Sequence, residues 1–109
     1  MHELGIIQEV LDVVTEHARG ARVKRVVLEI GKLTAVLPDA VRFCFDVCSA
    51  GTVAEGAKLE VVETPGQARC RSCGSHMVFE NAFACSRCGS FDLDWLAGME
   101  LTIRELELA

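Results

Sequence analysis

Two near-identical cysteine turns constrain this chain more than any other feature. Residues 70–75 read CRSCGS and residues 85–90 read CSRCGS. Two thiols separated by two residues can reach one metal ion, and two such turns supply the four sulfurs of a tetrahedral structural zinc site. The glycine after each pair tolerates the left-handed backbone that such a turn needs. The pattern therefore predicts a structural Zn(II) held by Cys70, Cys73, Cys85 and Cys88.

Three other chemistries use paired cysteines. Disulfides suit a secreted domain, but the start Met1–Leu4 has no basic segment followed by an apolar run, so we expect no secretory signal. A redox dithiol is disfavoured because glycine and serine flank both turns. Iron accepts the same four thiolates, and nothing between Cys73 and Cys85 decides zinc against iron. A closed shell of four cysteines leaves no open position for substrate, so the metal is expected to hold structure.

Size and charge narrow the class of protein. A chain of 109 residues allows one domain, or one domain that carries a small metal-pinned insert. Its formal net charge of -5 disfavours binding to a phosphate backbone, so we expect no nucleic-acid partner. No apolar run is long enough to cross a membrane. Cys44 and Cys48 lie outside the two turns, and unpaired thiols suit a reducing cytoplasm.

Hydrophobic periodicity predicts an α+β fold. Apolar positions recur at helical spacing over residues 2–18 and again over 38–50, where Pro38 suits the first turn. Alternation predicts strands over 22–30, 58–63 and 100–108, with a bulge near Arg104 and Glu105 where the alternation slips. The prediction is a small three-stranded mixed sheet with two helices packed on it and a zinc-ribbon-like insert. The second helix crosses between two parallel strands, and the last strand pairs antiparallel.

The domain boundaries follow from the order of these elements. Residues 1–65 and 97–109 form the α/β domain, and residues 66–96 form the insert. Within the insert, a short hairpin is expected between Met77–Phe79 and Phe83–Ala84. Cys44 and Cys48 lie four residues apart on the second helix and could bind metal together. Packing is the stronger interpretation, because they share an apolar face with Val41 and Phe45.

His2 is a second candidate metal ligand. An imidazole next to a free amine and deprotonated backbone amides can enclose a square-planar divalent ion, and nickel and copper prefer that geometry and nitrogen set. A histidine at position 2 is weak evidence when taken alone. His17, near a helix end, and His76, in the insert, have no partner motif in the sequence.

Taken together, these segments resemble a known family. The similarity rests on Met1–Leu4, on the paired cysteine turns, and on stretches between them that occur in the same order: Gly31–Pro38, Phe43–Phe45, Gly51–Thr52 and Glu55–Leu59. The chain is similar over essentially its whole length to the hydrogenase nickel-insertion accessory proteins of the HypA/HybF type.

This resemblance implies a cytoplasmic nickel metallochaperone. Nickel, the transient cargo, would bind at His2, with Met1 and Glu3 as accessory donors, and zinc would bind at the four cysteines. The implied partners are a nickel-delivering GTPase accessory protein and the hydrogenase large subunit, and a homodimer is left open. Asp39 lies near the place where some members use a further acidic residue, but the local match is loose and it is not included in the core site.

Competing functions come from other classes. If the chain were a zinc-ribbon module that binds nucleic acid, we would expect a basic face with exposed aromatic residues. The acidic composition of the chain disfavours such a face. An electron-transfer protein would carry iron at the four cysteines and would be coloured. An enzyme is not expected, because the sequence offers no set of nucleophile, base and orienting acid.

Overall fold

The computed structural model describes residues 3–79 and 84–109. The predicted α+β fold with a ribbon carrying two Cys-x2-Cys knuckles is confirmed. The elements follow one another in this order: α1 (Glu3–Ala18), β1 (Val23–Gly31), a short 3-10 helix (Lys32–Thr34), α2 (Pro38–Cys48), β2 (Lys58–Thr64), β3 (Gly66–Cys70), β4 (His76–Phe79), β5 (Leu93–Ala97) and β6 (Leu101–Leu108).

Contacts divide the chain into two compact units. The helix-and-sheet unit comprises Met1–Glu29, Val36–Val62 and Thr102–Ala109, and the ribbon unit comprises Ile30–Ala35 and Glu63–Leu101. The predicted domain boundaries, 1–65 with 97–109 and then 66–96, stay a prediction. No described helix is both long enough and apolar enough to span a membrane.

Helix α1 buries the face that its apolar spacing predicts. Its residues at positions i, i+3, i+4 and i+7 point to one side, because an α-helix has 3.6 residues per turn. The helix ends at Ala18, and the next two residues, Arg19 and Gly20, adopt left-handed backbones at φ 51° and 86°. The buried residues of α1 are Ile7, Val10, Leu11, Val14 and Ala18.

Strand β1 is the centre of the first sheet, whose order is β2-β1-β6. Val26, Leu28 and Ile30 are buried, and Val27 is buried on the opposite face. The Gly31 N–H donates to Glu100 O and the Ala109 N–H donates to Arg22 O, so β6 runs antiparallel to β1, as predicted. The parallel pairing of β2 with β1 stays a prediction.

One arginine bridges all three strands of this sheet. The Arg25 guanidinium on β1 donates to Glu60 on β2 at 2.8 Å and to Glu107 on β6 at 3.1 Å. These charge-assisted bonds raise the pKa of Arg25, with the bond to Glu107 as the largest cause. The hydrogen bond from Arg25 likewise lowers the pKa of Glu107.

Helix α2 begins at Pro38, as predicted, and ends at Cys48, two residues before the predicted end. Its inward face consists of Val41 and Phe45, both buried. Cys44 and Cys48 are only half-buried and carry free thiols, so their predicted place in the core is confirmed only in part. The chain leaves the helix through Gly51, whose φ is 79°.

The ribbon unit contains the second sheet, with the order β4-β3-β5. Strand β4 pairs antiparallel with β3, in a register that places Gly66 opposite Phe79 and Arg69 opposite His76. The predicted hairpin between Met77–Phe79 and Phe83–Ala84 falls partly outside the described residues and stays a prediction. Among the described residues, β4 pairs with β3, and Ala84 lies in a bend. Phe83 lies outside the described residues.

Strands β3 and β5 were not predicted. Pro65 and Gly66 indicated a break, whereas β3 begins at Gly66 itself. The two strands pair antiparallel, with an irregularity between Gln67 and Ala68, and Trp95 on β5 lies with its ring centroid 5.4 Å from that of Phe79. The ribbon core is small; it consists of Ala68, Cys70, Phe79, Cys85 and Leu93, with Met77 and Trp95 packed against it.

Three glycines lie against one another at one end of the ribbon unit. A side chain on Gly31 would overlap the carbonyl of Gly98, and one on Gly98 would overlap the Cα of Gly66. Gly98 also has a φ of 101°, a conformation that other residues rarely adopt. This close approach of backbone to backbone excludes a side chain at Gly31 and Gly98.

Strand β6 is continuous from Leu101 to Leu108. Ile103 and Leu106 are its half-buried residues, although they lie three positions apart. That offset is the slip in alternation seen in the sequence, and the bulge near Arg104 and Glu105 stays a prediction.

Candidate metal centre

The two cysteine turns fold into matching knuckles. In the first, the Gly74 N–H donates to Cys70 O and the Cys70 N–H donates to Ser75 O, each at 2.8 Å. In the second, the same two bonds join Gly89 to Cys85 O and Cys85 to Ser90 O, also at 2.8 Å. Gly74 and Gly89 have φ values of 77° and 76°, which confirms the left-handed glycine predicted for each turn.

Backbone amides in both knuckles point at sulfur. The Cys73 N–H donates to Cys70 Sγ at 3.4 Å, and the Cys88 N–H donates to Cys85 Sγ at 3.5 Å. Such donors stabilise a thiolate over a thiol. The knuckles are also joined to each other, because Ser72 Oγ donates to Ser90 Oγ at 3.0 Å.

The four sulfurs fit a tetrahedral metal site. All four lie within 4.8 Å of one another. The distance is 3.6 Å between Cys70 Sγ and Cys88 Sγ, and also between Cys73 Sγ and Cys85 Sγ. Zinc–sulfur bonds of about 2.3 Å in a tetrahedron place neighbouring sulfurs about 3.8 Å apart. The arrangement therefore accepts one ion of this size without a large shift of either knuckle.

The thiols of the cluster differ in acidity. A hydrogen bond with the Ser75 side chain, together with the Ser75 backbone amide, lowers the pKa of Cys73 to about 6. The Ser90 backbone amide lowers the pKa of Cys88. Hydrogen bonding with Cys70, burial and the other two thiols outweigh this effect and raise the pKa to about 12. A metal that binds the four sulfurs must displace the protons of these thiols, so the affinity of the cluster for a metal depends on pH.

Arg71 lies inside the first knuckle and pairs with two aspartates. Its Nε donates to Asp94 at 2.7 Å and its Nη1 donates to Asp92 at 3.0 Å. Arg71 therefore ties the first knuckle to the start of β5, a pairing that no spacing in the sequence predicts.

The start of α1 is the other candidate metal region. Met1 and His2 lie outside the described residues. Glu3, the first residue of α1, accepts a hydrogen bond from the Leu37 N–H at 3.2 Å through Oε2. Its own backbone N–H and that of Leu37 lower the pKa of Glu3, so the carboxylate is charged at neutral pH. Glu3 thus links the beginning of α1 to the residue that precedes α2.

The remaining predicted or considered residues are not gathered into a site among the described parts of the chain. Asp39 is fully exposed in the first turn of α2 and forms an ion pair with Arg42 at 3.5 Å. His17 contacts Val13 O on its own helix at 2.9 Å. His76 is exposed on β4, opposite Arg69.

The fold and the four-sulfur cluster define a metal-binding α+β protein with a cysteine ribbon. Residues 1–108 match the model of the family described as "Hydrogenase/urease nickel incorporation, metallochaperone, hypA". The chain is 56% identical over 108 residues to the hydrogenase maturation factor HypA of Nostoc punctiforme, covering 99% of this chain and 96% of that protein. It is 43% identical over 109 residues to the HypA of Geobacter sulfurreducens, covering 99% of each.

A solved structure has the same fold. The solution structure of the nickel metallochaperone HypA from Helicobacter pylori superposes with a TM-score of 0.71 at 27% sequence identity. It covers 99% of this chain and 97% of that one. The chain belongs to the HypA family of hydrogenase maturation factors, which confirms the family resemblance seen in the sequence.

Proposed function

We propose that this protein carries Ni(II) to the large subunit of a [NiFe]-hydrogenase and holds Zn(II) at Cys70, Cys73, Cys85 and Cys88 as a structural ion. The observation that carries the nickel role is the family match over residues 1–108, which includes the Met-His-Glu start. A nickel-delivering GTPase accessory protein is the proposed second partner. The proposed setting is the cytoplasm, and the proposed role is non-catalytic.

The proposed zinc assignment rests on the donor set and its spacing. Four thiolates and a 3.6 Å sulfur–sulfur distance suit zinc, which contributes folding free energy at closed sites of this kind. Iron accepts the same ligands, so metal analysis of the purified protein separates the two ions. Zinc and a colourless protein are expected.

The proposed nickel site uses nitrogen donors at the chain start. The imidazole of His2, the amine of Met1 and the backbone amides of His2 and Glu3 form a square-planar set that suits Ni(II). The Glu3 carboxylate accepts the Leu37 N–H through Oε2, so its proposed role is to position the first turn of α1 beside α2. Glu3 then contributes to nickel binding through its backbone.

Two variants test this assignment by equilibrium dialysis with nickel. His2→Ala removes the imidazole, so nickel binding should be abolished while zinc content stays intact. Glu3→Gln keeps the backbone donors and a side-chain oxygen for the Leu37 N–H, so nickel stoichiometry should be retained. Unchanged nickel binding in the His2→Ala variant would contradict the proposal, and loss of nickel in Glu3→Gln would assign the carboxylate as a ligand.

A zinc-ribbon module that binds nucleic acid is the alternative function. The ribbon unit exposes Phe91 and His76, but Arg71 on the same unit is neutralised by Asp92 and Asp94. Filter binding at low salt distinguishes the two functions, and no retention of nucleic acid is expected.

A further inference from the structure

Strand β6 is the outer strand of the first sheet. The sheet order is β2-β1-β6, so among the described residues no strand lies beyond β6. Such an edge presents backbone N–H and C=O groups with which another extended segment can pair. Residues 102–107 of β6 read TIRELE and are here called the β6 edge. The faces and charges of these six residues decide which segment can pair with them.

Two consecutive charged residues of the β6 edge reach the same face of the sheet. Arg104 Nε lies 3.9 Å from Glu29 Oε1, and Glu105 Oε2 lies 3.4 Å from Arg25 Nη2. Arg25 and Glu29 lie four positions apart on β1 and share one face, because the side chains of a strand alternate. Arg104 and Glu105 are neighbours and yet share that face, as the predicted bulge requires.

The apolar residues of the β6 edge lie on the side of helix α1. Ile103 and Leu106 are half-buried and line a groove of about 270 Å³ against α1. Val13, Val14 and His17 line the helix side of this groove, and Val13 is 45% exposed. The groove therefore leaves apolar surface open alongside the free strand.

The order of faces along the β6 edge reads the same from both ends. Thr102 and Glu107 alternate with their apolar neighbours, so they lie on the face that carries Arg25. The α1 face is therefore reached from positions 103 and 106, and the Arg25 face from the other four. A second copy turned about a two-fold axis that passes through the sheet between Arg104 and Glu105 presents matching faces to the first.

Antiparallel pairing about this axis is chemically complementary at every position. Cross-strand pairs of opposite charge and pairs of apolar residues stabilise a sheet, whereas like charges directly opposite each other destabilise it. The axis produces one pair of opposite charge, one apolar pair and one pair in which a hydroxyl can donate to a carboxylate. Each pair occurs twice in the dimer, and the pairs are Arg104 with Glu105, Ile103 with Leu106, and Thr102 with Glu107.

Other registers lose this match. Sliding one copy by one or two positions brings Ile103 or Leu106 opposite a charged residue that lies on the other face. The two faces together therefore specify a single register. Charged residues on an edge strand normally hinder pairing between copies. Here the two-fold axis places each central charge opposite its complement, so the strand that fits the β6 edge is that of a second copy.

We infer that two copies of this protein pair through antiparallel β6 edges and form one continuous sheet, with Arg104 of each copy beside Glu105 of the other. The inference goes beyond the proposed function and does not depend on it, because the β6 edge contains none of the proposed metal ligands. The two copies contribute identical surfaces, as a closed two-fold dimer requires.

Charge reversal tests this pairing by sedimentation equilibrium of the zinc-loaded protein. In Arg104→Glu two carboxylates oppose each other at both central pairs, and in Glu105→Arg two guanidinium groups do. Each variant should therefore raise the dimer dissociation constant at least about tenfold. An equimolar mixture of the two variants should recover the dimer, because every central pair then joins opposite charges. The matched control is Arg19→Glu, which makes the same change of charge at an exposed residue after α1 and should keep the wild-type dissociation constant.

A second measurement uses the wild type alone. Amide hydrogen exchange over residues 102–107 should slow as the protein concentration rises through the dimer dissociation constant, because N–H groups of the edge enter hydrogen bonds between copies. If either variant unfolds on circular dichroism, this measurement alone decides.

Four results would each overturn the inference. They are a wild type that stays monomeric at every concentration, charge-reversal variants that dimerise as the wild type or the control does, a mixture of folded variants that stays monomeric, and exchange over the β6 edge that does not depend on concentration.

Discussion

The helix-and-sheet unit and the ribbon unit hold their shapes by different means. The first buries a conventional apolar core that includes Ile7, Val14, Leu28 and Phe45. Among the described residues, the core cluster of the second has five buried members, and two of these, Cys70 and Cys85, belong to the sulfur cluster. An apolar core of that size supplies little folding free energy. Under the proposed function, a metal ion bound at the four sulfurs supplies much of the rest, so the two units are stabilised in different ways.

Removing one cysteine of the cluster should show the difference between the two units most clearly, because only the ribbon unit should unfold. Cys73→Ser changes an exposed residue and opens no cavity, so its effect reports on the metal alone. Zinc content should fall to near zero, and the emission of Trp95, the single tryptophan, should shift to the red as the ribbon unfolds. Zinc analysis, fluorescence and far-ultraviolet circular dichroism measure these changes, and the helical signal should persist.

The matched control is Cys44→Ser, which changes a half-buried cysteine outside the cluster. It should retain zinc and the wild-type tryptophan spectrum. Full retention of zinc by Cys73→Ser would refute the four-cysteine site.

A substitution in the apolar core should destabilise the helix-and-sheet unit instead. Phe45→Ala truncates a large, fully buried side chain of α2 and leaves a cavity, which costs about 3–5 kcal/mol in a core of this kind. The free energy of unfolding from denaturation followed by circular dichroism should fall by that amount, and the zinc content of the folded protein should stay unchanged. Loss of zinc without loss of helical stability would contradict the division into two modes of stabilisation.

Within the ribbon unit, the three packed glycines test how much stability depends on close backbone packing. Gly98→Ala places a Cβ onto the backbone of Gly66 at a left-handed position, so the free energy of unfolding should fall by more than about 2 kcal/mol. Gly74→Ala is the control, because it has a similar φ of 77° with no atom within 4 Å of the added carbon. Its cost should be about 1 kcal/mol. Equal costs in chemical denaturation would show that the close packing is not what restricts Gly98.

The smallest expected effect concerns the Arg25 bridge. The folded-state pKa of Glu107 is lowered, so the stabilisation from its ionised form is present above the unfolded-state pKa and is lost as the pH falls through the folded-state value. Glu107→Gln should therefore be slightly less stable than the wild type at pH 7 and equal to it well below pH 4. Thermal unfolding over this pH range measures the difference. A difference that grows on acidification would have the wrong sign.

The sequence predicted the parts of this structure that have a local physical cause. The apolar spacing of α1, proline at the start of α2 and glycine after each cysteine pair act within one turn, and each was confirmed. Strands β3 and β5 escaped prediction because they are short, and their pairing depends on residues 23 to 30 positions apart along the chain. The bond from Leu37 to Glu3 and the pairing of Arg71 with two aspartates are long-range contacts without a sequence pattern.

The central claim is that nickel is held by nitrogen donors at the very start of the chain while the sulfur cluster serves the fold. Its most direct test is equilibrium dialysis with nickel on untagged protein and on a variant with a few residues added before Met1, with zinc measured in parallel. The extension removes the terminal amine from its place beside His2, so nickel binding should be lost while zinc content remains that of the untagged protein. Undiminished nickel binding by the extended protein would place the cargo site elsewhere and contradict the account.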